Sequence, residues 1–174
     1  MKIISITDLH KFFTNAELFC DVFSNADIII ITGDIWTGGS FNDSDLQWLM
    51  QYKDKVLFVP GNWETKEQIE FLSNHFMNID KHAFIKDSVG FFGIGGSNIT
   101  PLNTPDEYSE EALFEKLQQA YKTVKGNKIK VLLSHVPPFN TQDYTYSNMN
   151  IGSHSIRKFL EDNTVDLCLC GHVH

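Results

Sequence analysis

The sequence has 174 residues, 42% of them hydrophobic and 21% charged, and its 22 acidic against 14 basic side chains give a formal net charge of −8. That is the balance of an ordinary globular protein, with chain enough for one domain, 1–174, around a substantial core. An acidic surface repels polyphosphate backbones, so a nucleic-acid partner is not expected.

The chain opens on Ile3-Ile4-Ser5-Ile6, an apolar run too short for a signal-peptide core or a membrane span. Short apolar runs then alternate with helical patterns, the signature of an α/β protein. Strands are predicted at Lys2–Thr7, Asp27–Thr32, Val56–Val59, Ile129–Ser134 and Asp166–Cys170. Several are apolar at every position, as expected of strands covered on both faces. A helix over Asn15–Asn25 would present Leu18, Phe19, Val22 and Phe23 on one face. Thr65 followed by Gln68 forms a capping box for a helix to His75. Two short runs within Ala83–Gly93 flank Asp87-Ser88 like a hairpin. Ser109 caps a longer helix to Lys125, with Glu110 and Glu111 in its first turn. A last helix, Ser153–Asn163, would pack through Ile156, Phe159 and Leu160. The cysteines are Cys20, Cys168 and Cys170. An odd count without a framework predicts a reducing, cytoplasmic setting, and Cys168 and Cys170 read as core thiols before a redox or metal pair.

The residues just past the strand ends carry the chemistry. Asp8 and His10 come after the first strand, Gly33-Asp34 after the second and Gly61-Asn62 after the third, while His135 succeeds Ser134, and Gly171-His172-Val173-His174 succeeds the last strand. Ligands of open α/β sheets bind beyond the carboxyl ends of the strands, so these side chains can converge. Two Asp, four His and one Asn, with no thiolate, form a set of intermediate hardness. Mn²⁺, Fe, Zn²⁺, Co²⁺ or Ni²⁺ suit it better than Ca²⁺ or a structural zinc. Seven ligands exceed the needs of one open ion and serve two if one carboxylate is shared; paired ions clamp a phosphoryl group and activate a water. Taken singly, each piece has an ordinary reading as a turn or a solvated tail, Asn62 included. The ordered set at successive strand ends does not.

The motifs Asp8-Leu9-His10, Gly33-Asp34, Gly61-Asn62-Trp63-Glu64, Ser134-His135 and Gly171-His172-Val173-His174 resemble those of the calcineurin-like metallophosphoesterases. Gly95-Gly96-Ser97-Asn98-Ile99-Thr100-Pro101 and Ser134-His135-Val136-Pro137-Pro138 are similar to a narrower group of small archaeal and bacterial phosphoesterases. The resemblance implies two mixed β-sheets packed as a sandwich and flanked by helices, with strands continuing past His174. It implies one divalent ion on Asp8, His10 and His174, another on Asn62, His135 and His172, and Asp34 bridging, with Mn²⁺ the first expectation. Asp34, Asn62 and His135 would be the catalytic group, around a bridging hydroxide that attacks the phosphorus of a small phosphoester.

The pattern departs at Trp63, where the family motif has a histidine near the phosphate. An indole cannot protonate an alkoxide, and Glu64 loses its imidazole partner. Three readings stay open: esters with good leaving groups, a proton from elsewhere such as His154, or a catalytically weak, metal-binding scaffold. Trp63, Glu64, Asn98 and His154 are the expected substrate-proximal residues. Arg157, the only arginine, reads as a surface residue.

Overall fold

The computed structural model describes residues 1–10 and 19–174. Strands β1 (Ile3–Ile6), β2 (Ile28–Thr32), β3 (Val56–Val59) and β4 (Met77–Asn78) form one four-stranded sheet in that order. All its pairs are parallel. The second sheet runs β10 (Leu167–Leu169), β9 (Ile129–Ser134), β6 (Val89–Ile94), β5 (Ala83–Lys86). Only β5 against β6 is antiparallel. Asp87 and Ser88, at φ 48° and 69°, make the predicted two-residue turn between them. A third pair, β7 (Ser97–Asn98) with β8 (Glu107–Tyr108), is parallel.

Period-two alternation explains the layers. Ile28, Ile30, Leu57 and Val59 of the first sheet meet Val89, Phe91, Val131 and Leu133 of the second in a core between the sheets. The intervening residues Ile29, Ile31, Val56 and Phe58 face outward onto Phe23 of α1 (Cys20–Ser24), Leu49 of α2 (Gln47–Met50) and Leu72 of α3 (Lys66–His75). On the far side, Phe92, Ile94 and Leu132 pack against α4 (Glu110–Val124) and α5 (His154–Asp162). The molecule is therefore a helix–sheet–sheet–helix sandwich. Thr65, Ser109 and Ser153 cap α3, α4 and α5 through their hydroxyls, as their positions predict.

The first helix differs from expectation. Cys20–Ser24 is helical and Phe23 is buried against Trp48 and Tyr52, but Phe19 and Val22 are exposed. Leu18 and the start of that predicted helix lie outside the described residues. A single turn has one inward-facing position, and Phe23 takes it. Cys168 lies against the core beneath α4 and α5, and all three cysteines are free. No helix among the described residues is long and apolar enough to cross a membrane.

Candidate metal centre

The strand ends are stitched to one another by backbone bonds. The Asp8 N–H donates to Gly33 O at 3.1 Å, His10 N–H to Asp34 O at 3.0 Å and Gly171 N–H to His135 O at 2.9 Å. The chain leaves the strands abruptly, and Asp8, His10, Asp34 and His172 adopt φ of 51°, 45°, 53° and 72°. A left-handed backbone away from glycine costs of order 1 kcal/mol and persists where the surroundings enforce it. Here four metal-ligand candidates share it. A side chain at Gly61 would collide with the carboxylate and backbone nitrogen of Asp34, so only glycine lets these two loops close on each other.

Two groups of three result, Asp8 with His10 and His174, and Asp34 with His135 and His172. In the first, His10 Nε2 is 3.2 Å from His174 Nε2 and 3.9 Å from Asp8 Oδ1. In the second, His135 Nε2 is 3.3 Å from Asp34 Oδ2. Asn62 joins this second group, its Oδ1 2.9 Å from His135 Nε2 and 3.0 Å from His172 Nδ1. Those two ring nitrogens are themselves 3.2 Å apart. An amide oxygen and two imidazole nitrogens so close bring three lone pairs to one point, an arrangement that calls for a proton or a cation. The donor set thus fits a divalent metal.

Neighbouring groups aim these atoms. His135 Nδ1 donates to Thr32 O at 2.7 Å, which leaves Nε2 to face the cluster. His10 Nδ1 lies 3.0 Å from Thr37 Oγ1 and its Nε2 likewise faces inward. The Asn62 amide donates to Thr104 Oγ1 at 2.9 Å, and this fixes its oxygen toward the histidines. Asp8 accepts the Thr7 hydroxyl at 2.7 Å and the His172 N–H at 3.0 Å.

The charges are interlocked. Burial alone would depress the His135 imidazole, but the hydrogen bond and charge of Asp34 outweigh it and hold its pKa up at about 9. Burial opposes the Asp34 carboxylate, yet His135 keeps it below the usual range. Burial, then the charge of His135, pushes His172 down to about 4.

Glu64 is wholly enclosed and accepts three backbone N–H groups: Asp34 at 3.0 Å, Trp36 at 3.1 Å and Gly61 at 2.6 Å. It ties the loops after β2 and β3 together. Burial first, then the charge of Asp34, raises its pKa to about 7. The Trp63 N–H donates to Asp34 Oδ1 at 3.1 Å, and its half-buried ring lines a cavity of about 800 Å³ above the cluster. Asn98 borders the same cavity, its amide donating to Ile151 O at 3.2 Å and its Oδ1 buried without a partner. His154 stands apart: exposed at the start of α5, it stacks on Phe139 at 3.8 Å and does not line that cavity. Arg157 pairs with Glu161 on the surface, as expected. Thr37, Thr104 and the cavity-lining Leu102 had no signal in sequence that would separate them from ordinary loop residues, whereas Ile99 belongs to the Gly95–Pro101 stretch singled out by its resemblance.

A family model described as calcineurin-like phosphoesterase matches residues 1–174. An uncharacterized protein of Methanocaldococcus jannaschii, MJ1162, is 41% identical over 182 aligned residues that span 100% of this chain and 80% of that protein. Among solved structures, TT1561 of Thermus thermophilus superposes with a TM-score of 0.75 at 17% identity, covering 97% of this chain and 80% of that one. The phosphopantetheinyl hydrolase PptH of Mycobacterium tuberculosis gives a TM-score of 0.64 at 15% identity, covering 99% and 83%. Sandwich, ligand order and whole-length match agree: the chain belongs to the calcineurin-like phosphoesterases, a family of metal-dependent phosphoester hydrolases.

Proposed function

We infer that this protein hydrolyses a small phosphoester at a dinuclear metal site. One oxygen carries the reading: Asp34 Oδ2 lies 3.3 Å from His135 Nε2 in one group and 3.8 Å from His10 Nε2 in the other. A carboxylate within reach of both groups suits a shared ligand. Asp8, His10 and His174 would hold one ion, Asn62, His135 and His172 the second, with Mn²⁺ preferred and Fe, Zn²⁺, Ni²⁺ or Co²⁺ compatible. Two divalent ions, when bound, polarise the phosphoryl oxygens and lower the pKa of a water between them. The protein's own part is to aim the ligands through Thr32, Thr37 and Thr104, and to enclose the ester beneath Trp63.

No side chain among the described cavity-lining residues outside the two ligand groups titrates near neutral pH. With Trp63 in the histidine position and His154 remote, the alcohol must depart without a dedicated acid. Loss of general acid help costs about 10²–10⁴ in rate and spares esters with good leaving groups. A non-enzymatic metal-binding scaffold is the second reading, and Trp63 is the observation that favours it. The odd cysteine count continues to suggest a cytoplasmic setting.

Purified protein stripped with chelator and reloaded with Mn²⁺ should hydrolyse bis-p-nitrophenyl phosphate or p-nitrophenyl phosphate. Asp34→Asn should remove the turnover while the circular dichroism spectrum stays that of the parent. Metal-dependent turnover on neither ester would leave the scaffold reading standing instead.

A further inference from the structure

The wall of the cavity differs in kind from its floor. The floor is His10, Asp34, Asn62, His172 and His174; the wall is mainly Trp63, Ile99, Pro101, Leu102 and Ile151, interrupted by the uncharged polar Thr37, Asn98, Thr100 and Asn150. Ile99 is 72% exposed and Leu102 66% exposed. Both lie on the loop between β7 and β8, beside the metal cluster. Scattered surface aliphatics need no explanation, but neighbouring ones rimming a polar cavity mark a ligand-binding wall.

The loop is held in place by polar bonds. Glu107 accepts the Thr100 N–H at 3.1 Å, the Thr100 hydroxyl at 2.6 Å and the Thr104 N–H at 2.8 Å, together with the Thr104 hydroxyl. The Leu102 N–H donates to Thr100 Oγ1 at 3.1 Å. Thr104 in turn accepts the amide of Asn62, and the Asp106 N–H donates to Asn62 O at 3.1 Å. Although burial opposes it, this set of donors holds the Glu107 carboxyl down at about 2, so the tie persists across the working pH range. One network fixes a ligand candidate and presents two aliphatic side chains to the same space.

Charge narrows the ligand further. No lysine or arginine is among the described residues lining the cavity, in a chain of net charge −8. Cations held on the floor would balance one phosphoryl group, and a second anionic group on the substrate would find no basic partner among the described lining residues.

We propose that the substrate's organic arm is uncharged and apolar, and that Ile99 and Leu102 form the shelf on which it lies beside the metal cluster. This rests on the phosphoesterase reading and names the substrate class. Hydrolysis of a diester then breaks the P–O bond to the better leaving group: water's hydroxyl joins phosphorus, its proton ends on the departing alcohol, and the apolar arm stays on the phosphate. Nucleoside polyphosphates would be poor substrates, because the shelf offers their further charges no basic partner among the described residues.

The test is a series of alkyl p-nitrophenyl phosphodiesters from methyl to hexyl, hydrolysed by the Mn²⁺-loaded protein. A methylene moved from water to an apolar wall is worth up to about fourfold, so kcat/KM should rise about two- to fourfold per carbon over the first few. The paired change Ile99→Ser with Leu102→Ser should flatten that slope. Leu102→Arg should reverse the preference toward an ester bearing a carboxylate on its arm. Calorimetric titration with hexyl- and methylphosphonate gives a readout apart from turnover: the hexyl compound should bind tighter, with a more negative heat-capacity change. A flat series in the parent, or an unchanged slope in the serine pair, overturns the shelf while leaving the phosphoesterase intact. So does a serine pair that alters only the sedimentation coefficient, since the patch would then join two copies of the chain. Absence of turnover on every ester removes the phosphoesterase reading and the shelf with it.

Discussion

The carboxylate of Glu64 accepts the backbone N–H of Asp34 at 3.0 Å, so the residue that reaches both ligand groups is positioned through its main chain as well as its side chain. Glu64→Ala would also orphan the N–H groups of Trp36 and Gly61. Each buried unpaired donor costs about 1–3 kcal/mol, so a loss of at least about 3 kcal/mol is expected in urea unfolding of the metal-free protein. Glu64→Gln keeps one acceptor oxygen and should lose less.

His135 sets opposite pH trends for stability and for metal affinity. Its pKa in the folded metal-free protein is about 9 against an ordinary 6.5. A raised pKa contributes stability that is full below 6.5 and is lost as pH rises through about 9. Metal binding requires the proton to leave, so affinity should climb across the same window by up to about tenfold per pH unit and then level off. Thermal unfolding of chelated protein, set beside Zn²⁺ or Co²⁺ titrations at matched pH, checks both signs. Parallel trends would mean that His135 does not bind the metal.

Thr104→Val removes the acceptor that orients the Asn62 amide. A neighbour of this kind is typically worth about 10–100-fold in metal affinity or activity, and a loss in that range is expected, together with about 1–3 kcal/mol of stability for the buried amide left without its acceptor. Metal competition against a fluorescent chelator measures it.

Trp63→His restores the imidazole that the family motif carries. The main-chain bond from residue 63 to Asp34 Oδ1 does not depend on the side chain, so the ligand groups should survive the change. Turnover of esters with poor leaving groups should rise by up to about 10²-fold, while p-nitrophenyl esters change little. Equal effects on both classes would show that proton donation was not what the tryptophan lacked.

Much of this candidate site was legible because its ligand candidates punctuate apolar strands: Asp8, Asp34, Asn62, His135 and His172 each come just after such a run, and a turn explains any one of them but not the ordered set. The caps at Thr65, Ser109 and Ser153 were readable for the same local reason. The partition of strands between two sheets was not, because β2, β3, β6 and β9 are covered on both faces and look alike in sequence. Nor were β4, β7 and β8, two residues each, too short for any alternation. Lys116 shares the stripe of Leu113 and Ala120 on α4 and is buried with them despite its charge. Its ammonium lies 3.1 Å from Asp80, 2.7 Å from Gly95 O and 3.7 Å from the Tyr108 ring centre. The two ties around the cavity, Glu64 across the β2 and β3 loops and Glu107 across Thr100 and Thr104, depend on tertiary packing. Sequence could mark Glu64 only as the acidic member of a motif.

His10 meets His174, and Asp8 meets the His172 N–H, across 164 residues of chain. Closing so long a loop is slow, and such distant contacts are made late in folding. During synthesis Asp8, His10, Asp34 and Asn62 emerge well before residues 172–174, so each ligand group stays one or more members short until nearly all of this sequence has left the ribosome. A cation held by these residues would tie the loop after β1 to the loop after β10, two segments that lie far apart in the chain.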